Sequence, residues 1–177
     1  MEALKIELGG GSSPKEGFVN LDIVPSADIQ IDLMSICRGE SLPFDSNSVS
    51  HIYSAHFWEH IDCYQNLLHE LARVCKVGGV MTMIVPHWGQ PMAVCGGHRH
   101  VMSEDVVNQW EDFKDVWWGK HPKMFQLVKT NYTPSFRFKE AKALFPNFTD
   151  VQLFTYVPAT CHEIIFEFSC VENFKML

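Results

Sequence analysis

Residues 4–24 read LKIELGGGSSPKEGFVNLDIV, and this stretch decides the fold. Residues 4–8 alternate apolar and polar side chains as a strand does, and three glycines follow at once. A second strand is predicted over 18–24, with Asp22 near its end. A strand that ends in consecutive glycines lets a ligand approach the backbone and leaves amide N–H groups available to bind it. We therefore expect a ligand site where these two strands end.

The residues that follow continue an alternation of strands with loops and helices. Further strands are predicted over 28–33, 49–55 and 80–85, and a helix is predicted after Asp62. This alternation predicts an α/β fold with a doubly wound, mostly parallel sheet.

The C-terminal part of the chain has a different pattern. Strand-like runs at 151–157 and 163–170 are joined by a short connection, which predicts an antiparallel C-terminal hairpin.

Acidic residues follow two successive strands of the predicted sheet. A carboxylate at Asp22 can accept both hydroxyls of a ribose, and Asp32 can reach an adenine amino group. The glycines at 9–11 lack the G-x-G-x-x-G spacing of dinucleotide sites, and the P-loop lysine is also missing. The sequence therefore predicts an adenosine-bearing cofactor without a demanding phosphate group.

Five short motifs follow one another in the first half of the chain, namely ELGGG at 7–11, GFVNLD at 17–22, LPFDSNSV at 42–49, HFWEH at 56–60 and RVCKVGG at 73–79. Together they resemble the motifs of the class I S-adenosylmethionine-dependent methyltransferases. The resemblance covers roughly residues 4–86 and implies an enzyme with a Rossmann-like methyltransferase fold and S-adenosylmethionine as its cofactor. Residues 12–17 are too few for the usual crossover helix, so we expect a shortened N-terminal part.

The resemblance also implies roles for residues in this half of the chain. The glycine loop would approach the methionine part of the cofactor, and Asp22 would hold its ribose. Asp32 and Leu33 would bracket the adenine, and Glu7 would support the loop or the cofactor amino group. The residues expected at the cofactor are Glu7, Gly9, Gly10, Gly11, Asp22, Ile23, Asp32, Leu33, His56 and Phe57.

Residues 87–135 differ in composition from the rest of the chain, because they hold four of the five tryptophans and four of the nine histidines. We interpret this segment as a lid or substrate insertion within one methyltransferase domain that spans residues 1–177. A helix is predicted from Ser103 onward, with Val106, Trp110, Phe113 and Trp117 on its apolar face. The residues expected to bind substrate are Trp88, His98, His100 and Trp110.

Methyl transfer from a sulfonium needs in-line positioning and, for a hydroxyl or amine acceptor, a base. Histidine suits that task because its unperturbed pKa is about 6.5. His87, which follows the fifth strand, and His60 are the expected catalytic residues. We expect the acceptor to be a small molecule that is methylated at oxygen or nitrogen.

Charge and hydropathy exclude several classes of partner. The chain of 177 residues has 14 basic and 21 acidic residues, and the net charge of −7 argues against nucleic acid. No apolar run suits a signal peptide or a membrane span, so we expect a cytoplasmic protein that does not bind membranes. Six cysteines without a C-x-x-C pair predict reduced thiols, and the short chain favours a homodimer.

Three alternatives remain open from the sequence. His56-x-x-Glu59-His60 has the H-x-x-E-H pattern of inverted zinc peptidases and would make the protein a zinc-dependent hydrolase. A second metal arrangement groups His87, Cys95, His98 and His100. The third alternative is a non-catalytic binding protein with a methyltransferase fold. We assign no metal ligand from the sequence.

Overall fold

The computed structural model describes residues 3–62, 64–111 and 124–171. The strands are β1 (Leu4–Leu8), β2 (Val19–Asp22), β3 (Ile29–Gln30), β4 (Val49–Ala55), β5 (Cys75–Pro86), β6 (Phe125–Pro134) and β7 (Cys161–Cys170). The α-helices are α1 (Tyr64–Val74), α2 (Glu104–Glu111), α3 (Phe138–Leu144) and α4 (Asp150–Tyr156).

The seven strands form one sheet in the order β3-β2-β1-β4-β5-β7-β6. Neighbouring pairs from β3 to β5 are parallel, whereas β7 runs antiparallel to both β5 and β6. This arrangement confirms the predicted α/β sheet, mostly parallel with antiparallel C-terminal strands. Because the strand order reverses direction beside β1, a crevice opens where β1 and β4 end, and ligands bind at such points in α/β sheets.

Helix α1 shows why the sequence folds as it does around this sheet. Its residues Leu67, Leu71 and Val74 are fully buried and recur at helical spacing. Burying such a stripe against the sheet removes apolar surface from water, and this is the main force that stabilises the layered fold. The carbonyl of Val74 at the end of the helix accepts the N–H of Ser48, which joins the helix to the start of β4.

The predicted strand over 151–157 is wrong, because these residues form helix α4. Thr149 and Gln152 form a capping box in which each side chain bonds the other residue's backbone N–H. Leu153 and Phe154 on the helix are buried. The antiparallel partner of β7 is β6, and residues 135–160 connect the two strands, so the predicted tight hairpin is also wrong.

The third strand is shorter than predicted. It covers only Ile29–Gln30, and a 3-10 turn over Leu33–Arg38 takes up part of the predicted range. The side chain of Asp32 caps this turn by accepting the N–H of Met34.

The segment 87–135 contributes to the sheet as well as to its carboxyl edge, because β6 is the last strand in the order. Helix α2 begins after Ser103, whose hydroxyl accepts the N–H of Val106, as the sequence predicts. The predicted positions of Phe113 and Trp117 lie outside the described residues.

The structure also bears on two sequence predictions that concern membrane spans and cysteines. In the described ranges, no helix combines the length and the apolar content that crossing a bilayer requires. Cys75, Cys95, Cys161 and Cys170 form no disulfide, whereas Cys37 is disulfide-bonded and departs from the expectation of reduced cysteines.

Candidate functional site

A cleft of about 290 Å³ opens where β1, β2 and β4 end. Its lining joins residues from the glycine loop, the end of β2, the turn after β3 and the turn after β4. Seven of the ten residues expected at the cofactor line it, namely Gly9, Asp22, Ile23, Asp32, Leu33, His56 and Phe57. The structure thus brings into one cleft residues that lie far apart in the sequence, from Gly9 to Ile61.

The amide N–H groups of residues 9–11 are already bonded within the protein. In order, they donate to the carbonyl of Leu21 at 2.9 Å, to Oδ1 of Asn20 at 3.0 Å and to Oδ2 of Asp22 at 2.8 Å. The expectation that these amides are free to bind a ligand is therefore wrong. The loop contributes its shape and its lack of side chains instead.

Gly9 lies against Phe57, which closes one side of the cleft. A Cβ atom at Gly9 would lie 2.7 Å from Cδ2 of Phe57, and the residue has a φ of +70° that favours glycine. On the other side of the loop, the buried carboxylate of Glu7 accepts the N–H of Lys15. Glu7 therefore holds the loop in place and does not line the cleft.

Asp22 is held at the end of β2 by two backbone amides. Its Oδ2 accepts the N–H of Gly11 at 2.8 Å, and its Oδ1 accepts the N–H of Val24 at 3.1 Å. Each carboxylate oxygen has a second lone pair that can accept a further hydrogen bond. The carboxylate is therefore fixed in position and keeps two acceptor sites for a ligand in the cleft.

Asp32 provides a second carboxylate on the cleft wall. Its Oδ2 lies 3.0 Å from Nη2 of Arg38, and hydrogen bonding to this guanidinium, more than to the amide of Met34, lowers the pKa of Asp32. Asp32 is therefore ionised at neutral pH and able to accept a hydrogen bond from an amino group.

His56 adds a cation beside these carboxylates. Its Nε2 lies 2.7 Å from Oε1 of Glu163, and its Nδ1 lies 3.4 Å from Oε1 of Glu59. The carboxylate of Glu59, and after it that of Glu163, raises the pKa of His56 to about 9, although partial burial acts in the opposite direction. The ring is protonated at neutral pH, so His56 is not arranged to act as a base.

The two histidines expected as catalytic residues occupy different environments. His60 lines the cleft, and its Nδ1 lies 3.0 Å from the carbonyl oxygen of Gly97. His87 is 1% exposed, and its Nδ1 accepts the N–H of Gly89 at 3.1 Å. Burial lowers the pKa of His87, which keeps the ring neutral, but the ring does not line the cleft.

The sequence alternatives that involve metals do not have the geometry they require. His56 follows β4 directly and residues 58–60 form a 3-10 turn, so the H-x-x-E-H segment is not the α-helix that the zinc peptidase reading needs. Of the second group, Cys95 and His98 are adjacent, with 3.6 Å between Sγ and Nε2. His100 instead packs edge-on against Tyr64, with 5.8 Å between the ring centroids.

A second, open cleft of about 490 Å³ lies beyond the end of β5. Trp88, one of the residues expected to bind substrate, lines this cleft, whereas the side chain of Trp110 lies outside what the structure describes. Sequence reasoning missed the rest of the lining, which is Val101, Ser103, Glu104, Asp105, Tyr132 and Thr155. Their grouping depends on where β6 and α4 pack, and no local sequence pattern encodes that packing.

Comparisons with known proteins agree with this architecture. Residues 20–83 match the family model described as a methyltransferase domain. Comparison with curated protein sequences finds no significant match.

Solved structures with the same fold include several methyltransferases. A methyltransferase from Archaeoglobus fulgidus has 10% sequence identity and a TM-score of 0.67, and the match covers 93% of this chain and 85% of that one. One from Mesorhizobium loti has 10% identity and a TM-score of 0.57, covering 94% and 90% of the two chains. A geranyl diphosphate methyltransferase in complex with S-adenosylmethionine has 9% identity and a TM-score of 0.60, covering 95% and 78%.

Proposed function

We propose that this chain, a class I S-adenosylmethionine-dependent methyltransferase domain, transfers the methyl group to an oxygen or nitrogen atom of a small molecule. The observation that carries the proposal is the single cleft at the carboxyl ends of β1, β2 and β4. Residues that the sequence assigned separately to ribose, adenine and methionine line this one cleft. S-adenosylmethionine is the cofactor, and it supplies an electrophilic methyl group when bound.

The residues of the cleft fit such a cofactor. The fixed carboxylate of Asp22 retains acceptor sites suited to the two ribose hydroxyls, and the ionised Asp32 suits the adenine amino group. The absence of side chains at the glycine loop lets the ligand approach the backbone beside Phe57. We assign the cofactor to this cleft on these grounds.

We assign the acceptor to the second cleft, beside Trp88. This cleft adjoins the same edge of the sheet, because β4 and β5 both end there and Trp88 follows β5. The carboxylates of Glu104 and Asp105 and the indole of Trp88 favour an acceptor that carries an amine or several hydroxyl groups. Glu104 is oriented by the hydroxyl of Tyr132, which donates to it at 2.7 Å.

We assign proton removal to His60, which lines the cofactor cleft that the reacting atom of the acceptor must reach from the second cleft. When Nδ1 of His60 donates to the carbonyl of Gly97, the lone pair on Nε2 is available to take a proton. His87 is sealed from the clefts, and its Nδ1 is already an acceptor for Gly89. A positioned base contributes about 10²-fold to 10⁴-fold to a rate.

A methyl transfer assay with a panel of small amines and alcohols tests this function. We expect Trp88→Ala to raise KM for the acceptor with unchanged affinity for S-adenosylhomocysteine, and His60→Gln to lower kcat by at least about 100-fold. The matched control is His51→Gln, since His51 is bonded to Thr82 and lies outside both clefts. Full kcat in His60→Gln, or an unchanged KM in Trp88→Ala, would contradict the assignment.

We also propose that two copies of the chain associate. Large apolar side chains are exposed on α3, α4 and the residues around them, and such a patch on a protein surface often marks an interaction site. They are Phe136, Leu144, Phe145, Val151 and Tyr156. Light scattering on the protein and on a Phe136→Ser, Leu144→Ser variant tests this, with a monomeric wild type as the contrary result.

A further inference from the structure

We propose that Glu59, His60 and His98 form a binding site for a divalent transition metal of the zinc type. One ligand atom from each of these three residues lies within 4.8 Å of the other two. They come from the turn after β4 and from the loop that precedes α2. Two imidazoles and one carboxylate with an open fourth position are a known ligand set for Zn²⁺.

Glu59 gives the strongest indication that a cation belongs here. Its side chain is 1% exposed, yet neither carboxylate oxygen accepts a hydrogen bond from any residue in the described ranges. One cation is already close, because Nδ1 of the protonated His56 ring lies 3.4 Å from Oε1 of Glu59, a distance longer than a well-formed charged hydrogen bond. Oε2 of Glu59 has no hydrogen-bond partner among the described residues, and coordination to a metal is one way to satisfy a buried carboxylate oxygen.

The two histidines already have the second contacts that metal-binding histidines make. Nδ1 of His60 lies 3.0 Å from the carbonyl oxygen of Gly97, and Nδ1 of His98 lies 3.4 Å from that of Ala93. A metal-binding histidine usually donates its other ring N–H to a carbonyl or carboxylate, which fixes its tautomer. Both rings therefore present Nε2 as the nitrogen with a lone pair.

The backbone holds the two halves of the site together. The N–H groups of Arg99 and His100 donate to the carbonyl of Glu59 at 2.7 and 3.3 Å, and the Arg99 guanidinium pairs with Asp62. The rings of His60 and His98 lie 4.7 Å apart between centroids. The loop is thus fixed across the turn, and the ligands are held by more than their own side chains.

Only small movements are needed to complete the coordination. Ligand atoms about 2.0–2.1 Å from a tetrahedral Zn²⁺ lie about 3.4 Å from one another. Starting from separations of up to 4.8 Å, each ligand atom must move inward by about 1 Å or less, which side-chain rotation allows. Water can occupy the fourth position.

The metal site does not depend on the proposed function, but it would change one step of that function. A metal on His60 would occupy the Nε2 lone pair, so His60 could not take the proton of the acceptor. A metal held there would instead lower the pKa of an acceptor hydroxyl that coordinates it, so that the proton could pass to solvent. Because His60 also lines the cofactor cleft, the metal would lie at the edge of that cleft.

Zinc titration of the tag-free protein, stripped with a chelator and returned to buffer, tests the proposal. With a chromophoric chelator as competitor, we expect one equivalent of Zn²⁺ to bind with submicromolar affinity, and Co²⁺ to give the intense visible absorption of a tetrahedral site. His98→Gln and Glu59→Gln should each weaken Zn²⁺ binding by at least about 100-fold. His51→Gln, which removes an imidazole elsewhere, should bind as the wild type does.

Two outcomes would overturn the site. One is a wild type that binds no Zn²⁺ at micromolar concentration, and the other is a folded His98→Gln variant whose affinity equals that of His51→Gln. His98 is on a partly exposed loop, so this variant remains informative if the buried Glu59→Gln variant fails to fold. Binding of S-adenosylhomocysteine to the same samples reports separately on the cofactor cleft.

Discussion

Replacing Asp22 with alanine should remove most of the stabilisation that S-adenosylhomocysteine gives the protein. The carboxylate lines the cofactor cleft and is fixed there by the amides of Gly11 and Val24. The substitution removes both acceptor sites proposed for the ribose hydroxyls. It also removes the hydrogen bond from the N–H of Gly11, which helps to tie the glycine loop to β2.

The expected loss of affinity follows from the number of hydrogen bonds. A hydrogen bond to a charged group contributes about 1.5–3 kcal/mol, so losing two costs at least about 3 kcal/mol of binding free energy. Since each 1.4 kcal/mol is a factor of ten, the dissociation constant should rise about 150-fold.

Thermal melting measures this change directly. Wild-type protein with ligand at 100 times its dissociation constant gains about 2.7 kcal/mol, or about 5–10 °C in Tm for a chain of this size. At the same ligand concentration, a variant with about 150-fold weaker binding gains only about 0.3 kcal/mol, or about 1 °C.

Asp28→Ala is the matched control for this experiment. Asp28 also holds the backbone through its carboxylate, which accepts the N–H of Asn20 at 2.8 Å, but it does not line the cleft. We expect both variants to melt below the wild type without ligand, and only Asp22→Ala to lose the ligand-induced shift. A full shift in Asp22→Ala would refute the ribose assignment.

Two further predictions concern the loop and the pH dependence of stability. Gly9→Ala should lower the free energy of unfolding by about 2 kcal/mol or more, because a left-handed backbone costs an alanine about 1–2 kcal/mol and the new Cβ meets Phe57. Gly17→Ala is the control, because Gly17 has a similar φ of +78° but no atom within 4 Å of an added Cβ. In urea unfolding this variant should lose only the backbone cost. Equal losses of unfolding free energy in the two variants would argue against the contact with Phe57. Burial lowers the pKa of His87, although the charge of Glu104 acts in the opposite direction. Below about pH 6.5 the unfolded chain therefore binds a proton at this histidine that the native chain excludes. The free energy of unfolding should then fall as the pH falls. His87→Gln should flatten this decline in urea melts between about pH 5 and 7, and an unchanged slope would show that His87 does not cause it.

The cofactor half of the fold could be predicted because its signals are local in sequence. The strand over Val49–Ala55 coincides with the prediction, since its β-branched and aromatic residues have no competing pattern. The glycines directly after β1 and Asp22 at the end of β2 are placed by their own strands. Parallel strands then bring their ends to one edge of the sheet, so a cleft there follows from the topology.

The C-terminal half could not be predicted in the same way. The strand-like composition of 151–157 outweighed the capping box of Thr149 and Gln152, a local signal of a helix that was present in the sequence. The pairing of β6 with β7 joins strands that are separated by two helices, and no local pattern encodes it. The same holds for Glu59 and His98, which meet only because a loop crosses the turn after β4.

The hydrogen bonds of the amides of residues 9–11 order the glycine loop during folding, so the entropic cost of a rigid loop falls on folding and not on ligand binding. Fixing the backbone of one residue costs about 1–2 kcal/mol, and here β2 and its side chains impose that order during folding. Cofactor binding therefore needs no ordering of the loop, and association should proceed without a slow conformational step. Asn20 is fully buried and does not line the cleft, yet its loss would transfer that ordering cost to the binding step. Under the cofactor assignment proposed above, we therefore expect the affinity to depend on a side chain that lies outside the cleft.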